Sequence, residues 1–243
     1  MHQLPISALV SACLLAASSF PASAGPAAAA PALPLKAHPD STQWPDLVKP
    51  DLSNCSFPAG IWTFQDGVLT ASEDQNLWTQ DTYGDCVLDL EFKFEPGANS
   101  GVFVYNSDPK SWMPTSVEIQ ICDDGFKKWQ DAPASWHCGA FFGHQPATKS
   151  AVKPAGEWNR LTVSCQGPKV TALLNGEVVS EVDLSKWTSG TVNPDGTDIP
   201  KWLQGKPWCQ LPTRGRIGLQ GRHAGAGIFF RNVKVMRLDP VAR

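Results

Sequence analysis

Residues 84–123 read GDCVLDLEFKFEPGANSGVFVYNSDPKSWMPTSVEIQICDD. Three runs in it alternate apolar and polar residues: LDLEFKFE from Leu88, GVFVYN from Gly101 and SVEIQIC from Ser116. Turn-forming residues around Pro96-Gly97-Ala98-Asn99-Ser100 and Asn106-Ser107-Asp108-Pro109 separate them. A period of two between turn formers predicts consecutive antiparallel strands. Alternate side chains of a strand share a face, so Val117, Ile119 and Ile121 point into a core while Ser116, Glu118, Gln120 and Cys122 point the other way. A carboxyl and a carboxamide together on one face of an otherwise apolar strand suggest a hollow polar site.

The same pattern continues downstream. Trp158 to Cys165, Lys169 to Leu174 and Glu177 to Asp183 read as a meander turned at Gly167-Pro168 and Asn175-Gly176, the second being a strong hairpin signal. Arg216 to Gln220 and Gly227 to Leu238 read as a closing pair of strands, and Leu184 to Pro212 as an excursion loop rich in Pro, Gly and Trp. No segment sustains a helical period. The expected fold class is all-β, two antiparallel sheets packed face to face as a jelly-roll sandwich. In curved versions of that architecture the outer face of one sheet forms a groove suited to sugars. Ten tryptophans make stacking on carbohydrate plausible, although a tryptophan is as readily a large core or rim residue.

Residues 6–20 are apolar or small without a charge, and Pro21-Ala22-Ser23-Ala24 ends in Ala-x-Ala. This is the pattern of an export signal, residues 1–24, cleaved after Ala24 and too short to span a membrane. The n-region has no Lys or Arg, only His2, and Val10-Ser11-Ala12-Cys13 loosely resembles a lipoprotein signal; processing at Cys13 is the less favoured variant, because only six residues separate it from the start of the apolar run. Secretion or release into a periplasm follows from either. Residues 25–50 are rich in Pro and Ala and read as a flexible leader, leaving residues 51–243 as a single β-sandwich domain. Six cysteines remain beyond the signal, and an even number in an exported chain predicts at least one disulfide. Cys122 and Cys138 bracket one loop beside the site strand and are the favoured pair. The net charge is −3 with Lys and Arg scattered, which argues against nucleic acid and anionic membrane surfaces as partners.

Four blocks in order carry a specific resemblance: GDCVLDLEFKFEPGANSGVFV, VEIQICDD, KPAGEWNRLTVSCQGPKVTALLNGEVV and GRIGLQGRHAGAGIFFRNVKV. The chain from about Trp62 to Leu238 resembles the bacterial 3-keto-disaccharide hydrolase family, whose fold is similar to the concanavalin A-like lectins and glucanases. The resemblance implies a carbohydrate substrate, a 3-keto-glucoside, supplied by an upstream sugar 3-dehydrogenase. The chain departs from the family at two points. It has Val104-Tyr105-Asn106 where the family commonly places an Arg, and Thr115-Ser116-Val117 where Gly-Tyr is common.

The chemistry of such a substrate calls for particular groups. A ketone at C3 acidifies the C2 proton, so a base can form an enolate, the C1 substituent leaves by β-elimination, and water adds back. The site needs a base, an acid for the leaving oxygen, and donors facing the enolate. Glu118 is the candidate base and His223, in the Gln-Gly-Arg-His loop, the candidate acid or enolate donor. Asn99, Gln120, Gln220 and Arg231 are candidates for holding hydroxyls or negative charge. Each has a plainer reading: Glu118 as a surface carboxylate, Gln120 and Gln220 as cross-strand partners, Asn99 as a turn residue and Arg231 as a structural ion-pair partner. His144 and His137 are weaker spares. No cofactor is called for, although Glu118, His223, Gln120 and Asn99 form a conceivable set for a divalent cation polarising the ketone.

Two other functions compete. A retaining β-glucanase on this fold carries Glu-x-Asp-x-x-Glu, with its outer carboxylates as nucleophile and acid/base; here the run Glu118-Ile119-Gln120-Ile121-Cys122-Asp123 keeps one Glu. A non-catalytic carbohydrate-binding module needs a groove and no titrating pair.

Overall fold

The structure is a computed structural model that describes residues 31–238; the signal sequence expected at residues 1–24 lies outside the described residues. Among the described residues twelve strands form two antiparallel sheets. The five-stranded sheet runs in the order β1 (Cys55–Ser56), β4 (Leu77–Thr79), β11 (Arg216–Leu219), β6 (Asn99–Asn106), β7 (Val117–Cys122). The seven-stranded sheet runs β10 (Glu177–Asp183), β9 (Lys169–Leu174), β8 (Asn159–Gln166), β5 (Cys86–Phe94), β12 (Ile228–Arg237), β3 (Val68–Ala71), β2 (Trp62–Gln65). The only α-helix among the described residues is a single turn, α1 (Lys127–Gln130).

The core lies between the sheets. Val102, Val104, Val117, Ile119 and Ile121 meet Leu88, Leu90, Phe92, Leu161, Val163 and Phe230, all of them buried in one apolar cluster. Removing that much apolar surface from water is the main favourable contribution to the sandwich. Alternation in β7 works as the sequence implies, with its odd-numbered residues in the core.

Two strand pairings differ from expectation. β5 and β6 are consecutive in sequence but belong to different sheets, so the Pro96-Gly97-Ala98 turn crosses the sandwich instead of closing a hairpin. Likewise β11 pairs with β6 and β4, and β12 with β5 and β3, so the closing strands are not partners. Periodicity reports which face of a strand is apolar and is silent on which neighbour supplies the ladder. The β8–β9–β10 meander does form in register, with Asn175 and Gly176 both at positive φ in its second turn, as a tight hairpin turn requires.

The leader expected over residues 25–50 is corrected for its described part. Leu35, Trp44, Leu47 and Val48 are buried, Trp44 and Leu35 against Val87 and Leu173 on the outer side of the seven-stranded sheet. Asp46 bridges to Lys234 of β12. A few large apolar residues in a Pro-rich strap are enough when a sheet face is waiting for them. The cysteine expectation is also corrected: all six, Cys55, Cys86, Cys122, Cys138, Cys165 and Cys209, are free thiols. Cys122 and Cys138 lie near one another, and burial pushes both thiols above their ordinary pKa.

Candidate active site

The outer face of the five-stranded sheet is where β7 turns its polar residues. Glu118 stands opposite Phe103 of β6, and Gln120 opposite Gly101. Past β7 the chain returns as an extra edge: the Gln120 N–H donates to Ala140 O, the Gly139 N–H to Gln120 O and the Phe142 N–H to Glu118 O, at 2.8–3.0 Å. Glu118 is thereby closed in from both sides and is only 8% exposed. Its carboxyl lies across Gly101, where a Cβ would collide with Glu118 Oε1. The absence of a side chain at 101 is what gives the carboxyl its room. Burial pushes its pKa up to about 8, because the charged form loses water that nothing nearby replaces.

Beside it, Gln120 Nε2 donates to Asn99 Oδ1 at 3.2 Å, while Gln120 Oε1 and Gln220 Oε1 are buried without a partner among the described residues. Gln220 continues β11, its N–H donating to Gly101 O. The chain then passes so close to residues 73–75 that a Cβ at Gly221 would strike the Glu73 and Gln75 backbone, and the Arg222 N–H donates to Glu73 O. This contact sets His223 beside Asp74, with His223 Nδ1 2.8 Å from Asp74 Oδ2. A carboxylate at Nδ1 fixes the proton there and leaves Nε2 as the ring's other proton site.

Asn99, Glu118, Gln220 and His223 line one cavity of about 600 Å³. Its walls are aromatic and come from connections rather than strands. Trp112 and Met113 belong to the β6–β7 connection, Trp129 to α1, Trp136 and Phe142 to the segment before β8, and Trp202 to the excursion loop. Trp136 packs against both Phe142 and Trp202, each pair of rings 5.5 Å apart. Trp202 is 51% exposed, unusual for so large an apolar ring, and Trp136 Nε1 has no partner among the described residues. Flat indole faces with unpaired amide oxygens and an N–H between them suit a pyranose, which offers C–H faces and hydroxyls. Lys128 adds a cation at the rim, 4.3 Å from the centre of the Trp129 ring.

The structure thus brings Asn99, Glu118, Gln220 and His223 together, with Gln120 packed against Asn99. Arg231 does not join them. It lies on β12, in the other sheet, pairing with Glu91 (2.9 Å) and stacking on Trp158 (4.1 Å); the structural reading of that arginine holds and its assignment to the site is corrected. His144 stacks on Trp208 at 3.8 Å in the base of the excursion loop, and His137 pairs with Asp124. Tyr105, in the Val104-Tyr105-Asn106 stretch, sits in a β-bulge at positive φ and turns into the core, donating to Gly167 O at 2.8 Å. Asp74, Lys128 and the aromatic walls were not singled out from sequence; only the abundance of tryptophan hinted at them. Among the described residues no group of three or more His, Cys, Asp or Glu side chains gathers as a metal site would require.

Comparison with other proteins agrees with this architecture. A putative glycosyl hydrolase from Parabacteroides distasonis superposes with a TM-score of 0.78 and 48% identity, over 81% of this chain and all of that one. A second such protein from the same organism is 22% identical, with a TM-score of 0.56 over 73% of this chain and 84% of that one. A Bacillus subtilis protein of galectin-like fold, 13% identical, shares the fold over 79% of this chain and 93% of that one, with a TM-score of 0.51. No curated protein matches the chain. The model of the 3-keto-alpha-glucoside-1,2-lyase-like domain matches residues 39–236, almost the whole described sandwich, and the chain belongs to that carbohydrate-active family.

Proposed function

We propose that the protein cleaves 3-keto-glucosides by β-elimination and rehydration. The observation that carries this reading is a single buried carboxyl, Glu118, with its pKa raised to about 8, in a tryptophan-walled cavity that also holds a carboxylate-backed histidine. A carboxylate with so high a pKa is a stronger base than an ordinary one and is suited to removing a carbon-bound proton.

Glu118 takes the C2 proton, and the C–H electron pair becomes the C2–C3 enolate. The enolate re-forms the C3 carbonyl as its electrons make the C1–C2 double bond and the C1–O bond breaks. His223 gives a proton through Nε2 to the departing oxygen, with Asp74 holding the ring. Water then adds at C1 and a proton returns to C2, giving 3-keto-glucose. The Gln220 amide and Lys128 are the donors at hand for the enolate oxygen.

A two-carboxylate glucanase mechanism is less well supplied. Asp123, at the far end of the Glu118 run, accepts from the Gly97 N–H at 2.8 Å and is not among the cavity-lining residues. The amino-terminal signal pattern supports an activity outside the cytoplasm, and a 3-keto substrate calls for a sugar 3-dehydrogenase acting before it. The decisive experiment is a time course with a 3-keto-glucoside and the matching unoxidised glucoside. Only the ketone makes the C2 proton removable, so cleavage of the first alone is expected, and equal cleavage of both would overturn the mechanism.

A further inference from the structure

The cavity does not end at its tryptophan wall. A second hollow of about 650 Å³ opens beside it, and Gln75, Asn76 and Trp112 line both. Each is by itself large enough for a small-molecule ring. A substrate whose reacting sugar occupies the first has its C1 substituent directed into shared or neighbouring space, so the second hollow is a place for the leaving half.

Its lining differs in character from the first. Trp78, on β4, is held flat against the sheet by the missing side chain of Gly218 and packs on Phe103 at 5.3 Å; Phe57 and Trp112 complete an aromatic surface. The charged side chains over that surface are Lys110, Arg216 and Asp108. Asp108 is turned back to the chain, accepting the Lys110 N–H at 2.9 Å as the cap of a short 3-10 turn. Arg216 is oriented by a hydrogen bond from Nη1 to Thr79 O, 2.6 Å, which leaves its other donors unused by that contact. Arg160, Arg231 and Arg237 all pair with carboxylates, whereas neither Arg216 nor Lys110 forms an ion pair among the described residues.

Resting on the reading of the first cavity given above, we infer that this second hollow is a subsite for a ring-shaped leaving group bearing a carboxylate. The ring stacks on the indoles and the carboxylate meets Arg216 and Lys110. Such a group comes from an aromatic acid or from a uronic acid.

Calorimetric titration of the purified full chain with unoxidised glucosides reads this subsite without any turnover. The probes are 4-carboxyphenyl glucoside, its neutral 4-carbamoylphenyl counterpart, the glucoside of glucuronic acid, and methyl glucoside as reference. The carboxyphenyl compound is expected to bind roughly tenfold more tightly than the carbamoyl one, the gain typical of a charge-assisted contact. Arg216→Gln, or Lys110→Gln at an exposed position if the first variant folds poorly, erases that difference. Ser56→Trp, placed on an exposed residue of the hollow, weakens all three large glucosides and leaves methyl glucoside unchanged. Tighter binding of the glucuronate compound than of the carboxyphenyl one assigns the source as a sugar acid; the reverse assigns an aromatic acid. Equal affinity for acid and amide, or no effect of Ser56→Trp, overturns the inference. Failure of the enzyme on any 3-keto-glucoside would instead overturn the elimination mechanism and leave these binding results standing.

Discussion

His223 Nδ1 lies 2.8 Å from Asp74 Oδ2 although the two residues are 149 positions apart. Both are about half exposed, so the contact contributes little to stability; its consequence is orientation, a ring with Nδ1 committed and Nε2 available beside the cavity. Asp74→Ala is expected to lower kcat/KM roughly tenfold, since the imidazole loses the carboxylate that orients it, while Asp74→Asn, which keeps a hydrogen-bonding oxygen at the same place, should lose less. His223→Gln should cost roughly 10² or more. An unchanged kcat/KM in Asp74→Ala would show that the pair has no part in proton transfer.

Glu118→Gln keeps shape and removes the base, so turnover should fall by at least roughly 10² while sugar affinity is largely kept. In the wild type, kcat/KM should rise with pH until Glu118 is ionised, levelling above its pKa of about 8. The same shift predicts a stability effect of opposite sense. The folded carboxyl binds a proton more tightly than the unfolded one, so between pH 4.5 and about 8 the native state loses stability as pH rises. Denaturant unfolding at pH 9 should therefore find Glu118→Gln more stable than wild type, with the advantage gone at pH 4.

Gly101→Ala tests the space the carboxyl occupies. A methyl there collides with Glu118 Oε1, so the carboxyl must move or the β6–β7 pair must shift, at a cost on the order of 1–3 kcal/mol. Loss of most activity with the fold retained is expected, and circular dichroism alongside kinetics separates the two. Wild-type kinetics in this variant would mean that Glu118 works from a different rotamer.

His144 anchors the loop that carries Trp202. Its Nδ1 donates to Phe142 O at 2.8 Å, its ring stacks on Trp208, and burial lowers its pKa to about 4. A folded pKa below the unfolded 6.5 means stability is fully present above pH 6.5 and is lost as pH falls toward 4, by about 3 kcal/mol at the limit. Tryptophan fluorescence should report loosening of residues 184–212 in that window, and His144→Gln should flatten the dependence.

Much of the sandwich is legible in the sequence because a strand buried on one face must alternate, and alternation survives in a single chain as a pattern. It placed β7 with Val117, Ile119 and Ile121 inward and Glu118 outward, and Asn175-Gly176 as a turn that few residues other than glycine and asparagine can make. The pattern says nothing of partners. That β5 and β6 part into different sheets, and that β11 and β12 do likewise, follows from which crossings cover the core, a property of the whole chain.

The site divides along the same line. Glu118, Gln120 and Asn99 are near enough along β6 and β7 for local pattern to set them together, and the His223 loop stood out by its own composition. Arg231 looked equivalent on paper, yet one step of sheet assignment sends it to the opposite surface and into an ion pair with Glu91. Asp74, Lys128 and the tryptophan walls come from four separate connections between strands, where no periodicity constrains a residue and only close backbone approaches, such as Gly221 against residues 73–75, decide what meets what. The amino-acid order by itself determined the strand faces and the outward carboxyl. The raised pKa of that carboxyl, its histidine neighbour and the cavity around both were decided by tertiary structure, because desolvation and proximity exist only once distant segments have packed.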